Sequence, residues 1–190
     1  MRRALALLLA AGCSAGTPGA APGDPLGDKG FWSLVDRAAQ QGGSDVQDRA
    51  AALTQLLQGR DRAALETYQR HLVAAVASLD LVAVQDVAGV LCPGLDDAAF
   101  VDVRSWVVAQ GERTVTAVAH DPVALARISG VRTACTGVGS TFGDAAVARY
   151  SDLGFEPGTY AFPLLPVGGA TGPHATPEQL REARALTAHR

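Results

Sequence analysis

Asparagine is absent from all 190 residues, and isoleucine, lysine and methionine occur once each, as Ile128, Lys29 and Met1. Alanine is abundant instead, with 36 residues, and all but one of the 16 basic residues are Arg. That skew follows codon bias in a GC-rich genome and says little about chemistry. Charge is also scarce: 18% of residues, 19 acidic against 16 basic, for a net charge of -3. Phosphate neutralisation supplies most nucleic-acid affinity, and this mildly acidic chain has no Lys/Arg stripe, so no nucleic-acid partner is expected. Catalytic and metal signatures are missing as well. There is no Cys-x-x-Cys, no His-Glu-x-x-His, no Gly-x-Ser-x-Gly nucleophile elbow and no calcium-loop rhythm of aspartates. The Gly-Val-Gly-Ser run at 137–140 lacks the Lys-Ser/Thr of a phosphate loop. What is present is 48% hydrophobic residues in 19.5 kDa at a mean hydropathy of +0.13, which excludes wholesale disorder and suits one domain of ordinary size.

The N-terminus reads as an address. Arg2 and Arg3 precede an apolar run at 4–11, eight residues long, with Gly12 and Cys13 following. Eight residues fall far below the roughly 20 that cross a bilayer, so residues 1–12 are expected to be a signal peptide and not a retained span. The order Leu9-Ala10-Ala11-Gly12-Cys13 resembles a bacterial lipobox, in which the cysteine sulfur is acylated before the signal is cut. The resemblance implies lipidation at Cys13 and an extracytoplasmic protein touching the membrane through its lipid alone; plain secretion is the alternative. Residues 13–30 carry Pro18, Pro22 and Pro25 among glycines and few large side chains, so they are expected to form a flexible tether.

With Cys13 lipidated, Cys92 and Cys135 remain as an even pair in an oxidising compartment, and a disulfide is the economical reading. Two buried free thiols are one alternative. A reactive Cys92 at the start of the next helix is another.

From Pro25 to Pro93 there is no proline, and apolar residues recur at helical spacing. The pattern predicts a short helix from Phe31 closed by Gly42-Gly43, and a second capped by Ser44 or Asp45. A third, capped by Asp61, carries the stripe Leu65, Tyr68, Leu72, Val73, Val76 and Leu79. Residues 81–91 read as a fourth helix, although Val82, Val84 and Val87 also alternate as in a strand. A fifth, capped by Asp96 or Asp97, runs through Trp106 to Gln110-Gly111; a sixth spans 112–119, and Asp121-Pro122 opens a single turn. The expectation is an all-α domain of small antiparallel helices at 31–155.

Phe31-Trp32-Ser33-Leu34-Val35-Asp36, the stretch Asp96-Asp97-Ala98-Ala99-Phe100 with Arg104 and Trp106, Gln110-Gly111, and 121–126 resemble, in order and spacing, family 4240 of the domains of unknown function. Residues 144–154 echo that family's last helix. The resemblance departs at Leu95, at Val103 and at 81–84. It implies helices and no established activity, so it assigns no catalytic residue.

Beyond Ser129, glycine and proline give loop composition over 130–177, interrupted by a helix at 145–153. Residues 156–190 are expected to be a loop-rich strap and a C-terminal helix capped by Thr176. Tyr160, Phe162, Leu164, Leu165 and Val167 either lie across the core or dock a partner. Asp96, Asp97, Asp102 and Arg104 form the one polar cluster worth testing as an acid–base or cation site, against a plain helix cap with a local Asp–Arg pair. Trp32 and Trp106 read as core residues, Arg70 as solvated, His71 as partly buried, and His120, His174 and His189 as scattered. No cofactor or metal is expected. The function expected is an exported, lipid-anchored binding or interaction module for an envelope protein or cell-wall component; the alternative is a small envelope hydrolase using the carboxylates.

Overall fold

A computed structural model of the chain describes residues 26–188. The expected signal peptide, Cys13 and most of the tether, together with His189, lie outside the described residues. Helix α1, Asp28–Gly42, begins three residues before Phe31, and Leu26 ahead of it is buried. The folded body therefore takes in the end of the expected tether, because the Leu26 side chain packs on the core. Phe31, Leu34, Val35 and Ala38 form the buried face of α1.

The polar caps decide where the next helices start. Asp45, not Ser44, caps α2, Val46–Leu57, accepting the Gln47 amide at 2.7 Å. Asp61 caps α3, Arg62–Ala77, through the Ala64 amide at 2.9 Å. The ambiguous valines lie in α4, Val82–Leu91, where Val84, Val87, Ala88 and Leu91 share a buried face. Helix α5, Asp97–Val108, is the centre of the molecule, buried along both flanks from Phe100 to Val108 except at Asp102. Then come α6, Glu112–His120, and the single turn α7, Ala124–Arg127.

The stretch expected to be loop is helical. A 3-10 turn, Val131–Thr136, is followed by α8, Val138–Gly143, and α9, Ala145–Asp152. Its glycines serve two physical needs. Gly130 and Gly137 take left-handed conformations at the turn boundaries, with φ of 74° and 80°. Gly139 and Gly143 instead allow close approach: a Cβ at 139 would lie 1.8 Å from the Asp102 carbonyl oxygen of α5, and one at 143 would lie 2.7 Å from Leu165 Cδ1. Glycine there marks turn boundaries and close contacts within a helical stretch.

Residues 156–176 are irregular as expected, and α10, Pro177–Ala188, closes the chain across α4 and α7. Thr176 and Gln179 cap it reciprocally: the Gln179 amide donates to Thr176 Oγ1 at 3.2 Å and the Thr176 amide to Gln179 Oε1 at 2.8 Å. Among the described residues there is no strand, only an isolated parallel bridge between Leu81 and Thr171. The domain is all-α.

Two glycines with opposite surroundings test this packing. Gly139→Ala should destabilise by roughly 1–3 kcal/mol or more in urea unfolding, the range for overpacking a tight contact. Gly89, exposed on α4 with no heavy atom within 4 Å of a built Cβ, should gain about 0.5–1 kcal/mol as Gly89→Ala. Similar signs for the two would contradict the close α5–α8 contact.

Candidate functional site

The four residues of the polar cluster sit on one helix and point to different places. Asp96 is the cap of α5, accepting the Ala99 amide at 2.8 Å. Asp97 is exposed and accepts Gln85 Nε2 at 3.2 Å. Asp102 turns to the opposite side, against the start of α8. Arg104 goes inward, entirely buried.

Arg104 does not pair locally. Its partner is Asp80, in the turn between α3 and α4, with Nη1 3.1 Å from Oδ1. Nη2 donates to the Pro166 carbonyl at 3.1 Å, and the guanidinium lies 4.8 Å from the Phe100 ring centre. Burial pulls the Arg104 pKa below its ordinary value, and the charges of Asp80 and Asp97 oppose the shift. The role legible in the sequence was a short-range one. The long-range partner was hidden because Asp80 lies on a different turn, 24 positions away in the chain.

Asp102 is half-buried, and desolvation pushes its carboxyl above the usual range; the charge of Asp144 adds to this and bonding to Ser140 opposes it. Asp102 and Asp144 thus stand near one another beside the Ser140 hydroxyl, which itself donates to the Gly137 carbonyl at 2.7 Å.

The histidines are dispersed. His71 stacks on Phe31, with centroids 5.9 Å apart, and its Nδ1 lies 3.6 Å from Asp28 Oδ1. His174 meets Asp86 at 2.9 Å, and the same carboxylate oxygen accepts the Ala175 amide at 2.9 Å, which anchors the start of α10 to α4. No group of three His, Cys, Asp or Glu converges to hold a metal ion among the described residues. Trp32 is half-buried, its ring 4.7 Å from that of Phe31, and Trp106 is buried with no hydrogen-bond partner for Nε1. Both are packing residues.

Cys92 and Cys135 are at bonding distance, with S–S 2.00 Å and Cα atoms 5.3 Å apart, tying the end of α4 to the 3-10 turn. Of the three readings of these cysteines, the geometry selects the disulfide. On the chain-entropy model a loop of that length contributes about 4 kcal/mol.

Besides a small hollow of about 310 Å³ over the disulfide, the described residues form two larger concave surfaces. A cleft of about 550 Å³ lies where the α1–α2 turn meets the end of α5, lined by Ser44, Arg49, Trp106, Gln110, Thr133 and Thr136 among others. Arg49 is committed there to structure: Nε donates to the Gly43 carbonyl at 2.7 Å, and Nη1 to the Ala109 carbonyl at 2.6 Å and to Gln110 Oε1 at 3.0 Å. A shallow groove of about 670 Å³ runs between α6 and α7, with Arg113, Ala117, His120 and Ala124 on its walls. The groove is also lined by Thr116, one helical turn from His120, and the cleft by Asp45 next to Ser44, and among the described residues no hydrogen bond joins either pair.

Sequence reasoning missed one further network. Tyr150 donates to Glu66 Oε1 at 2.7 Å, Arg62 Nε donates to the same oxygen at 2.6 Å, and the Arg62 guanidinium covers Phe155 at 4.4 Å. The i, i+4 spacing of Arg62 and Glu66 was the one available signal. This network holds α9 and the start of the strap against α3.

A family model described as "Protein of unknown function (DUF4240)" matches residues 27–157. No curated protein and no solved structure matches the chain.

Asp96→Ala should cost about 1 kcal/mol in urea unfolding, as loss of a helix cap does, while exposed Asp97→Ala stays within about 0.5 kcal/mol. Equal costs would contradict the assignment of the cap. Asp102 holds its proton more tightly folded than unfolded. Just above the ordinary carboxyl range the folded state therefore binds more protons, and this group's contribution to stability falls as pH rises. Asp102→Asn should accordingly raise the melting temperature at pH 7 and change it little at pH 3. An offset equal at both pH values would assign the effect to packing.

Proposed function

We propose, for a chain that belongs to the DUF4240 family, that this domain is a binding module and not an enzyme, held outside the cytoplasm by a lipid on Cys13. The observation that carries the reading is where apolar surface is left uncovered. Tyr160 is fully exposed, and Leu164 and Val167 are 54% and 66% exposed; all three fall on the one irregular segment that crosses the bundle. The core had room for Phe162 from the same segment, which is completely buried. Large apolar side chains on a segment fixed from its inner side match what an interaction surface requires: aromatic and aliphatic anchors presented by a rigid support.

The address and the cysteines support the same reading. The likeness of residues 9–13 to a lipobox implies a cysteine carrying two or three acyl chains, and more than one chain is what stable anchoring takes. A Cys92–Cys135 pair at bonding distance suits an oxidising compartment. The partner is then an envelope protein or cell-wall component with an apolar face. A hydrolase is disfavoured, since Asp96, Asp97 and Asp102 diverge and, among the described residues, no hydroxyl in the cleft or the α6–α7 groove is hydrogen-bonded to a base.

Substituting Tyr160→Ser, Leu164→Ser and Val167→Ser together should leave the melting temperature nearly unchanged and abolish the adduct formed in cells by a photo-crosslinking residue at 161. An undiminished adduct would refute the outer face as the contact. Separately, Cys13→Ala should move the protein from the detergent to the aqueous phase on phase partitioning, and unchanged partitioning would refute the anchor.

A further inference from the structure

The two ends of the Cys92–Cys135 bond meet solvent unequally. Cys92, at the end of α4, is buried with 6% exposure, whereas Cys135 on the 3-10 turn is exposed. Both cysteines line the hollow of about 310 Å³, together with Leu91, the turn Pro93-Gly94-Leu95, Ala99 and Arg132. That volume stands at the lower end of small-molecule sites, which begin near ~300 Å³.

Among the residues that line the hollow, Arg132 alone is charged. It precedes Cys135 by three positions in the 3-10 turn Val131–Thr136, and side chains at that spacing eclipse one another. Arg132 is exposed, and its Nη2 donates to the Thr187 carbonyl of α10 at 3.0 Å. A fixed positive charge therefore stands on the same side as the open sulfur.

A thiolate exchanges with a disulfide by attacking one of its sulfurs, and access together with local charge decides which sulfur and which thiol react. Burial closes Cys92 to attack. Cys135 is open, and the guanidinium beside it attracts an anionic thiol and offsets the negative charge that spreads over three sulfurs as the bonds exchange.

From this asymmetry we propose that Cys135 is a site of reversible S-thiolation by a small anionic thiol admitted to the hollow, with Cys92 as the resolving cysteine. The entering thiolate sulfur bonds to Cys135 Sγ. The Cys92–Cys135 bond breaks, its electron pair stays on Cys92 Sγ, and that sulfur takes up the proton the entering thiol gave to solvent. One thiol is consumed and one is formed, so the exchange needs no other oxidant or reductant. In the return step the Cys92 thiolate attacks Cys135 Sγ, expels the small thiol and restores the cross-link. While the adduct stands, the end of α4 and the 3-10 turn that leads into α8 have no covalent tie. The proposal is independent of the lipid anchor and of the outer face of the strap.

The test incubates the folded full chain with mercaptoethanesulfonate, an anionic thiol, or with cysteamine, a cationic one, each rate being divided by the thiolate concentration. Acid quenching, alkylation and peptide mass mapping locate the adduct. It should sit on Cys135 with Cys92 free, and the anionic thiolate should react about fivefold faster than the cationic one, the scale of one exposed charge interaction. Arg132→Gln should erase that preference and Arg132→Lys should keep it. Should Arg132→Gln lose its helical circular-dichroism spectrum, wild type in about 1 M salt replaces it, since a Debye length near ~3 Å should erase the preference as well. An adduct mainly on Cys92 would overturn the proposal. So would a preference that survives both loss of the Arg132 charge and high salt, or a reaction with either thiol no faster than global unfolding.

Discussion

A guanidinium with no solvent exposure organises this domain. Taking a charge out of water costs several kcal/mol, so a buried Arg persists only where opposite charge and acceptors surround it. Arg104 collects them from three directions: Asp80 from the α3–α4 turn, the Pro166 carbonyl from the strap, and the face of Phe100 one turn back on its own helix. Each of those partners is thereby fixed relative to α5. The Asp80 turn is also bound to the strap through backbone, since the Asp80 carbonyl accepts the Thr171 amide at 3.0 Å and the Thr171 carbonyl accepts the Val82 amide at 2.9 Å. The irregular segment 156–176 thus gains a position from Arg104 and a short stretch of backbone pairing, with the buried Phe162 and the Gln69 and Asp86 side chains holding it at other points.

Around that centre the bundle closes by approach of backbone to backbone. Gly42 lets α2 cross the end of α1, and Gly139 lets α8 lie on α5, both at distances where a Cβ would overlap main-chain atoms. An Ala-rich chain has small side chains to interdigitate, and close helix contact makes up the dispersion that larger side chains would supply. The Cys92–Cys135 link then joins the end of α4 to the 3-10 turn that leads into α8, so the segment requiring the closest contact is also covalently held at its start. Stability concentrates around α5, while the outward strap residues contribute little to it.

The candidate site was partly legible. An aspartate cap at 96 or 97, three scattered histidines and the tryptophans as packing residues follow from local spacing, which is what helix geometry imposes; the choice of Asp96 came from the structure. The seat of the strap was not legible. Gln69, Ser105, Arg104 and Tyr150 come from three helices, and their positions relative to Pro163 and Pro166 depend on how those helices cross. Glycine at 139 and 143 misled for a related reason, because one residue type serves both turns and tight contacts, and composition does not tell which.

Apolar periodicity and side-chain caps, both set within a few residues, determined an all-α domain, the positions of its helices through Asp121-Pro122 and the cap at Thr176. Cysteine count likewise pointed to the pair that bonds. The tertiary structure alone decided that residues 131–143 coil against α5, that Arg104 answers to Asp80, and that the strap turns Phe162 and Leu165 inward and Leu164 and Val167 outward. The division is physical: a helix is stabilised by neighbours three and four residues away, whereas the partner of a buried charge or a proline carbonyl is whatever the packed chain brings within 3 Å.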